Sequence, residues 1–179
     1  MTTNLEEINI LPGRLYVARR SVALHTILGS CVSATFRSAR LGAGAMCHGL
    51  LPNQPTGSSP RDAHRYVDAS IRYLIQKFES MGALRRELEV KLFGGADVLA
   101  VPDARGGKPT VGALNCRAAL AVLEEAGIPV AAADLGGLQG RTILFDTATG
   151  EVLVRRLATG GAQHRAADGC WRPRKEGRD

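Results

Sequence analysis

Apolar and polar residues alternate with period two from Val32 to Phe36. Val32, Ala34 and Phe36 are apolar while Ser33 and Thr35 are not, which predicts a strand with one buried face. The stretches 14–24 (RLYVARRSVAL) and 24–36 both read as strand segments. SARLG then reads as a turn and AGAMCHGLL as a returning strand. Residues 52–62, PNQPTGSSPRD, form a loop rich in Pro, Gly and Ser. A helix is expected from there, with Ser59 as N-cap, Pro60 at the first helical position and Asp62 as the capping-box acid. Val67, Ile71, Leu74, Ile75 and Phe78 make one apolar face of it, and Gly82 ends it.

ELEVKLFGGADVL reads as a buried strand running into a glycine turn, and 102–112 as loop. A second helix is expected from about Asn115, its N-cap, to Ala126. Its apolar face is Ala119, Leu120, Leu123 and Ala126, with Gly127 as C-cap. IPVAAADLGG, GRTILFDTATG and EVLVRRL look like three closing strands, the last two a hairpin across ATG. The order of β-rich, helix, strand, helix and β-rich segments predicts an α+β fold, an α/β sandwich with β-sheets flanked by helices.

Composition adds bounds to this picture. The 179 residues fit one domain, with 45% hydrophobic and 22% charged residues. No run approaches the roughly 18 apolar residues that span a bilayer. The start, MTTNLEEINI, carries two early acids and no apolar core, unlike a secretory signal. Cys31, Cys47, Cys116 and Cys170 contain no CxxC pair and read as free thiols in a reducing cytoplasm. The net charge is +6, and residues 158–179 hold five basic and three acidic residues with no apolar periodicity, so this tail is expected to be disordered. No basic stripe is interleaved with aromatics, so the charge reads as solvated surface and no nucleic-acid partner is implied.

Cys31, in TILGSCVSATF, reads as a buried small hydrophobe, a metal ligand or a nucleophile. It and His48 are symmetric about the Ala39–Arg40 step. A hairpin turning there sets them directly opposite, on one face with Ser33 and Met46, while Val32, Ala34, Phe36 and Cys47 take the other. A one-residue slip would reverse the faces. A neighbouring imidazole activates a thiol. Gly29 permits close backbone approach, N–H groups near Ser30 and Cys31 suit an oxyanion, and the Thr26 hydroxyl suits orienting His48 or binding a leaving amide. Spacing alone leaves the core reading of Cys31 the default. Cys31, His48, His25 and His64 match no zinc spacing, and GGKPT lacks the phosphate-loop frame, so neither metal nor cofactor is expected.

TILGSCVSA, CHGLLP, KLFGGADVL, VGALN and DLGGLQGRTILFDTATGEVLV, in that order, resemble the CheD family of chemoreceptor glutamine deamidases, over about residues 12–157. The resemblance implies a domain at 1–157 followed by the tail 158–179, and a fold similar to the catalytic domain of glutamine-deamidating bacterial toxins. It implies Cys31 as nucleophile, His48 as its base and Thr26 as the supporting threonine. It also implies hydrolysis of glutamine side chains on the cytoplasmic helical bundle of methyl-accepting receptors, and association with a CheC-type phosphatase. The family usually carries a bulky residue after the histidine and a methionine before LP, where this chain has Gly49 and Leu50-Leu51-Pro52. Two other readings stand beside the deamidase: a docking module for receptors or that phosphatase without catalysis, and another thiol acyl-transfer enzyme such as a peptidase or transglutaminase-like protein.

Overall fold

The computed structural model describes residues 5–98 and 108–158. Nine strands and two α-helices follow in chain order: β1 (Glu6–Asn9), β2 (Leu15–Ala18), β3 (Val22–Leu28), β4 (Val32–Ser38), β5 (Ala43–Cys47), α1 (Val67–Ser80), β6 (Glu89–Gly94), α2 (Val111–Glu125), β7 (Val130–Leu135), β8 (Arg141–Asp146) and β9 (Val152–Arg156). They build two sheets, of order β1-β3-β8-β9 and β2-β5-β4-β6-β7. The α+β expectation holds, as a three-layer arrangement of sheet, sheet and helices. The two helices cover one face of the five-stranded sheet rather than flanking both sheets.

Two apolar layers follow from the strand alternation. Val32, Ala34, Phe36, Ala45 and Cys47 point towards the helices and meet Ile71, Leu74 and Phe78 of α1 and Ala119, Val122 and Leu123 of α2. Met46 and Phe93 point the other way and meet Leu24, Leu28, Ile143 and Phe145 of the four-stranded sheet. The expected apolar face of α1 is buried throughout, and Gly82, at φ +90°, follows its C-cap Met81. The left-handed backbone there suits glycine and stops the helix.

Several boundaries differ from expectation, each for a local reason. Ser59 accepts from Arg61 N, but it caps a short 3-10 segment at Pro60–Arg65, and α1 begins only after Tyr66. Thr110, not Asn115, caps α2, accepting from Ala113 N at 3.1 Å. Leu120 is exposed, and Ala118 and Val122 face the core. The single segment expected at 14–24 is broken between β2 and β3, whose strands join different sheets. The short strand β1, EEIN, has a single apolar residue, Ile8, and is recruited by parallel pairing with β3. The closing hairpin β8–β9 forms as expected, whereas β7 pairs parallel with β6 in the other sheet. GGKPT falls partly outside the described residues, as does the tail from residue 159 onward.

Candidate active site

The hairpin of β4 and β5 turns over four residues, Ala39–Gly42, instead of the two-residue step expected at Ala39–Arg40. Gly42 adopts φ +57° and donates to Ala39 O at 3.2 Å, closing the turn. Thr35 therefore opposes Met46, and the same count continues to a bridge between Val32 and Gly49. Ser33 falls opposite His48, and Cys31 falls one diagonal step from it. The shift is two residues, an even number, so the faces survive. Cys31 packs on the layer between the sheets together with Met46, and Cys47 on the helix side.

His48 is held at its backbone by the segment entering β2. Its N–H donates to Arg14 O at 2.9 Å and its carbonyl accepts from Gly13 N at 2.8 Å. Its ring crosses to the other sheet. Nδ1 lies 2.8 Å from Thr26 Oγ1 and 3.3 Å from the Ile10 carbonyl, and the Thr26 hydroxyl donates to that carbonyl at 2.6 Å. A carbonyl only accepts, and the single hydroxyl hydrogen is already committed to it. Both contacts of Nδ1 are favourable when that nitrogen carries the ring proton. Nε2 is then the basic nitrogen, and it is buried with no hydrogen-bond partner among the described residues. Thr26 and His48 are each 2% exposed, so water competes little for this arrangement.

Cys31 lies at the bend between β3 and β4 and is half-buried. Among the described residues it makes no direct hydrogen bond to His48. Burial raises its thiol above the ordinary 9.0, opposed by its own backbone N–H. Burial lowers His48 below its ordinary 6.5, opposed by the Ile10 carbonyl. The two shifts move apart, so the resting pair is a neutral thiol beside a neutral imidazole, not an ion pair. Cys47, wholly buried, is pushed up to about 11.

The bend itself is held by its carbonyls. Gly29 O accepts from Ala96 N at 2.9 Å, and Cys31 O accepts from Gly95 N at 2.7 Å. Gly94 is at φ +111°, and a Cβ there would lie 2.1 Å from Cys31 O. FGGA is thus the turn against which the Cys31 bend is docked. Gly49 packs on α1: an added Cβ would lie 2.7 Å from Val67 Cγ2, so the missing bulk after His48 is occupied by that helix.

Two residues outside the expected set bear on this region. Asn115, wholly buried, donates from Nδ2 to Ser30 O at 2.9 Å and to Leu50 O at 3.0 Å. Arg141 is wholly buried; it pairs with Asp134 at 2.6 Å and also donates to Gly136 O, which folds the DLGG turn around it. Neither role had a signal in spacing: Asn115 bonds two backbone carbonyls brought in by the fold, and Arg141 bonds the Asp134 carboxylate together with carbonyls of the folded DLGG turn. His25 is half-buried on β3, and His64 stacks edge-on against Tyr73 at 4.9 Å. No group of three or more His, Cys, Asp or Glu side chains gathers among the described residues, and no described helix is long and apolar enough to cross a membrane.

A family profile described as CheD chemotactic sensory transduction matches residues 50–156, beginning two residues beyond His48. Relatives extend the likeness across the site. The chain is 43% identical over 153 residues to a probable chemoreceptor glutamine deamidase CheD 2 of Geobacter sulfurreducens, covering 86% of this chain and 91% of that one. It is 38% identical over 162 residues to a probable chemoreceptor glutamine deamidase CheD of Pseudomonas fluorescens, covering 89% and 90%. A protein of the same name from Maridesulfovibrio salexigens is 33% identical over 160 residues, covering 87% and 94%. With these matches over most of its length, the chain belongs to the CheD family.

Proposed function

We propose that this protein hydrolyses glutamine side-chain amides of chemotaxis receptors to glutamate through Cys31. The observation that carries the proposal is the Thr26–His48 contact at 2.8 Å, which leaves Nε2 as a free base on the face that Cys31 shares. The names of the relatives supply the substrate class. As substrate binds, Nε2 takes the thiol proton and the sulfur attacks the carboxamide carbon. The carbonyl oxygen becomes an oxyanion facing the N–H groups around Gly29, Ser30 and Cys31. His48 returns the proton to the amide nitrogen, the C–N bond breaks and ammonia leaves a thioester. Water then gives its proton to His48 and attacks the thioester. The C–S bond breaks, the sulfur recovers the proton, and glutamate is released.

Thr26 acts through His48: it holds the ring in the tautomer that keeps Nε2 basic. A cytoplasmic setting follows from the receptor substrate, whose modified bundle faces that compartment. The kinship with toxin deamidases, the 1–157 catalytic domain with its separate tail, and a CheC-type phosphatase partner belong to the same proposal. The test incubates the protein with receptor cytoplasmic fragments and follows amide-to-acid exchange at glutamine by mass spectrometry. Conversion by wild type and none by Cys31→Ala is expected. Receptor binding without conversion would instead establish the docking module, and equal conversion by Cys31→Ala would remove the thiol from the chemistry.

A further inference from the structure

Three consecutive carbonyls of the Cys31 bend are tied: Gly29 O to Ala96 N, Ser30 O to Asn115 Nδ2, and Cys31 O to Gly95 N. The peptides are trans, so each N–H points opposite to its carbonyl. The Cys31 N–H, opposed to the Ser30 carbonyl, therefore points away from the Asn115 amide that holds that carbonyl. Neither it nor the Ser30 N–H has a carbonyl partner among the described residues, whereas the next amide, Val32 N, donates to Gly49 O at 3.0 Å. Asn115 is the only side chain among the described residues that bonds this bend, and its second bond reaches Leu50 O, two residues after His48. Its two amide protons therefore fasten the thiol segment to the histidine segment. It is 0% exposed and sits in α2, where Thr110 already supplies the cap, so the helix does not require it.

We infer that Asn115 is a positioning residue that turns the Ser30–Cys31 peptide so that the Cys31 N–H serves as an oxyanion donor, and fixes the spacing of that donor from His48. The inference rests on the thioester reading above. It assigns a cause to the oxyanion site in a residue that never touches substrate.

The test separates two reactions of one sulfur. Deamidation develops an oxyanion; alkylation by iodoacetamide does not. In Asn115→Ala, kcat for receptor-fragment deamidation should fall by roughly 10²-fold with KM little changed, near the loss of one oxyanion donor. Iodoacetamide capture of Cys31, governed by thiolate fraction and access, should stay within about threefold of wild type. Asn115→Ser, which keeps one donor, should fall between. Equal losses in both reactions would mean general displacement of the thiol and overturn the inference, as would unchanged kcat. Should the Ala variant fail to fold, the Ser variant and wild-type amide exchange decide. The Ser30 and Cys31 amides should exchange much faster than those of Val32, Gly95 and Ala96, and a protected Cys31 amide would overturn the inference. A wild type no better at deamidation than Cys31→Ala would sink the thioester reading instead.

Discussion

The Thr26 hydroxyl stands between the Ile10 carbonyl, 2.6 Å away, and His48 Nδ1, 2.8 Å away, joining the two sheets across the buried layer that Cys31 borders. One hydroxyl thereby determines which nitrogen of His48 is basic.

Replacing that hydroxyl should cost rate more than stability. Thr26→Val keeps the branched shape and removes the acceptor for Nδ1–H. The ring retains only its 3.3 Å contact with Ile10 O, from which it can rotate. We expect kcat to fall about tenfold to hundredfold, part of the 10²–10⁴ that a positioned general base supplies. Unfolding free energy should fall by about 1 kcal/mol. Thr26→Ser should restore most of the rate. Steady-state kinetics beside urea titrations would check both.

The resting charge state is open to direct measurement. With the thiol raised above 9.0 and the imidazole lowered below 6.5, both groups are neutral at pH 7. Ultraviolet difference spectra against Cys31→Ala should show no thiolate at that pH, and alkylation of Cys31 should keep rising with pH beyond 9.0. Deamidation should be lost only in acid, as Nε2 takes a proton. An alkylation rate already level at mildly acidic pH would instead indicate a thiolate–imidazolium pair.

The same His48 shift predicts a pH dependence of stability. Above the ordinary value of 6.5 the ring is neutral in both folded and unfolded chains, so stability is unaffected there. As pH falls through 6.5 the unfolded chain binds a proton that the folded chain refuses, and stability declines until the folded ring is protonated too. His48→Gln should flatten this part of the profile of urea midpoint against pH.

The two neighbouring cysteines should behave oppositely. Cys47, pushed up to about 11 and packed beneath the helices, should resist alkylation in the folded protein. Cys47→Ala should keep its activity and lose about 1 kcal/mol of stability from a small cavity. Peptide mapping after brief iodoacetamide treatment should find label at Cys31 and none at Cys47.

Burial decides the value of two arginine pairs that share Asp134. Arg141 is wholly buried, while Arg156 is 47% exposed, each 2.6 Å from the same carboxylate oxygen. Asp134→Ala strands a buried guanidinium and should cost about 3–5 kcal/mol. Arg156→Ala should cost about 1 kcal/mol or less. Thermal melts of the two variants compare them directly.

How much of this was legible in the sequence depends on the range of the interaction. The apolar stripe of α1 and the closing hairpin are local patterns, and both read correctly. The division of Cys31 from Cys47 also read correctly, although the turn was misplaced, because a two-residue shift preserves strand parity. The distance between Cys31 and His48 did not read correctly, since it depends on a four-residue turn closed by Gly42. Asn115 looked like a cap because its chemistry suits one. Its actual partners, Ser30 O and Leu50 O, lie 85 and 65 residues away in sequence and leave no local trace. Arg141 gave the same difficulty: charge predicts exposure, and only the folded DLGG turn supplies the carbonyls and carboxylate that bury it.

The thioester on Cys31 can be caught during turnover. Wild-type protein mixed with a glutamine-containing receptor peptide and quenched in acid during turnover should gain the mass of the peptide less ammonia, and digestion should place the adduct on Cys31. Cys31→Ala should carry no adduct and form no glutamate. Glutamate formed at the wild-type rate by Cys31→Ala, with no adduct on either protein, would remove Cys31 and its thioester from the reaction.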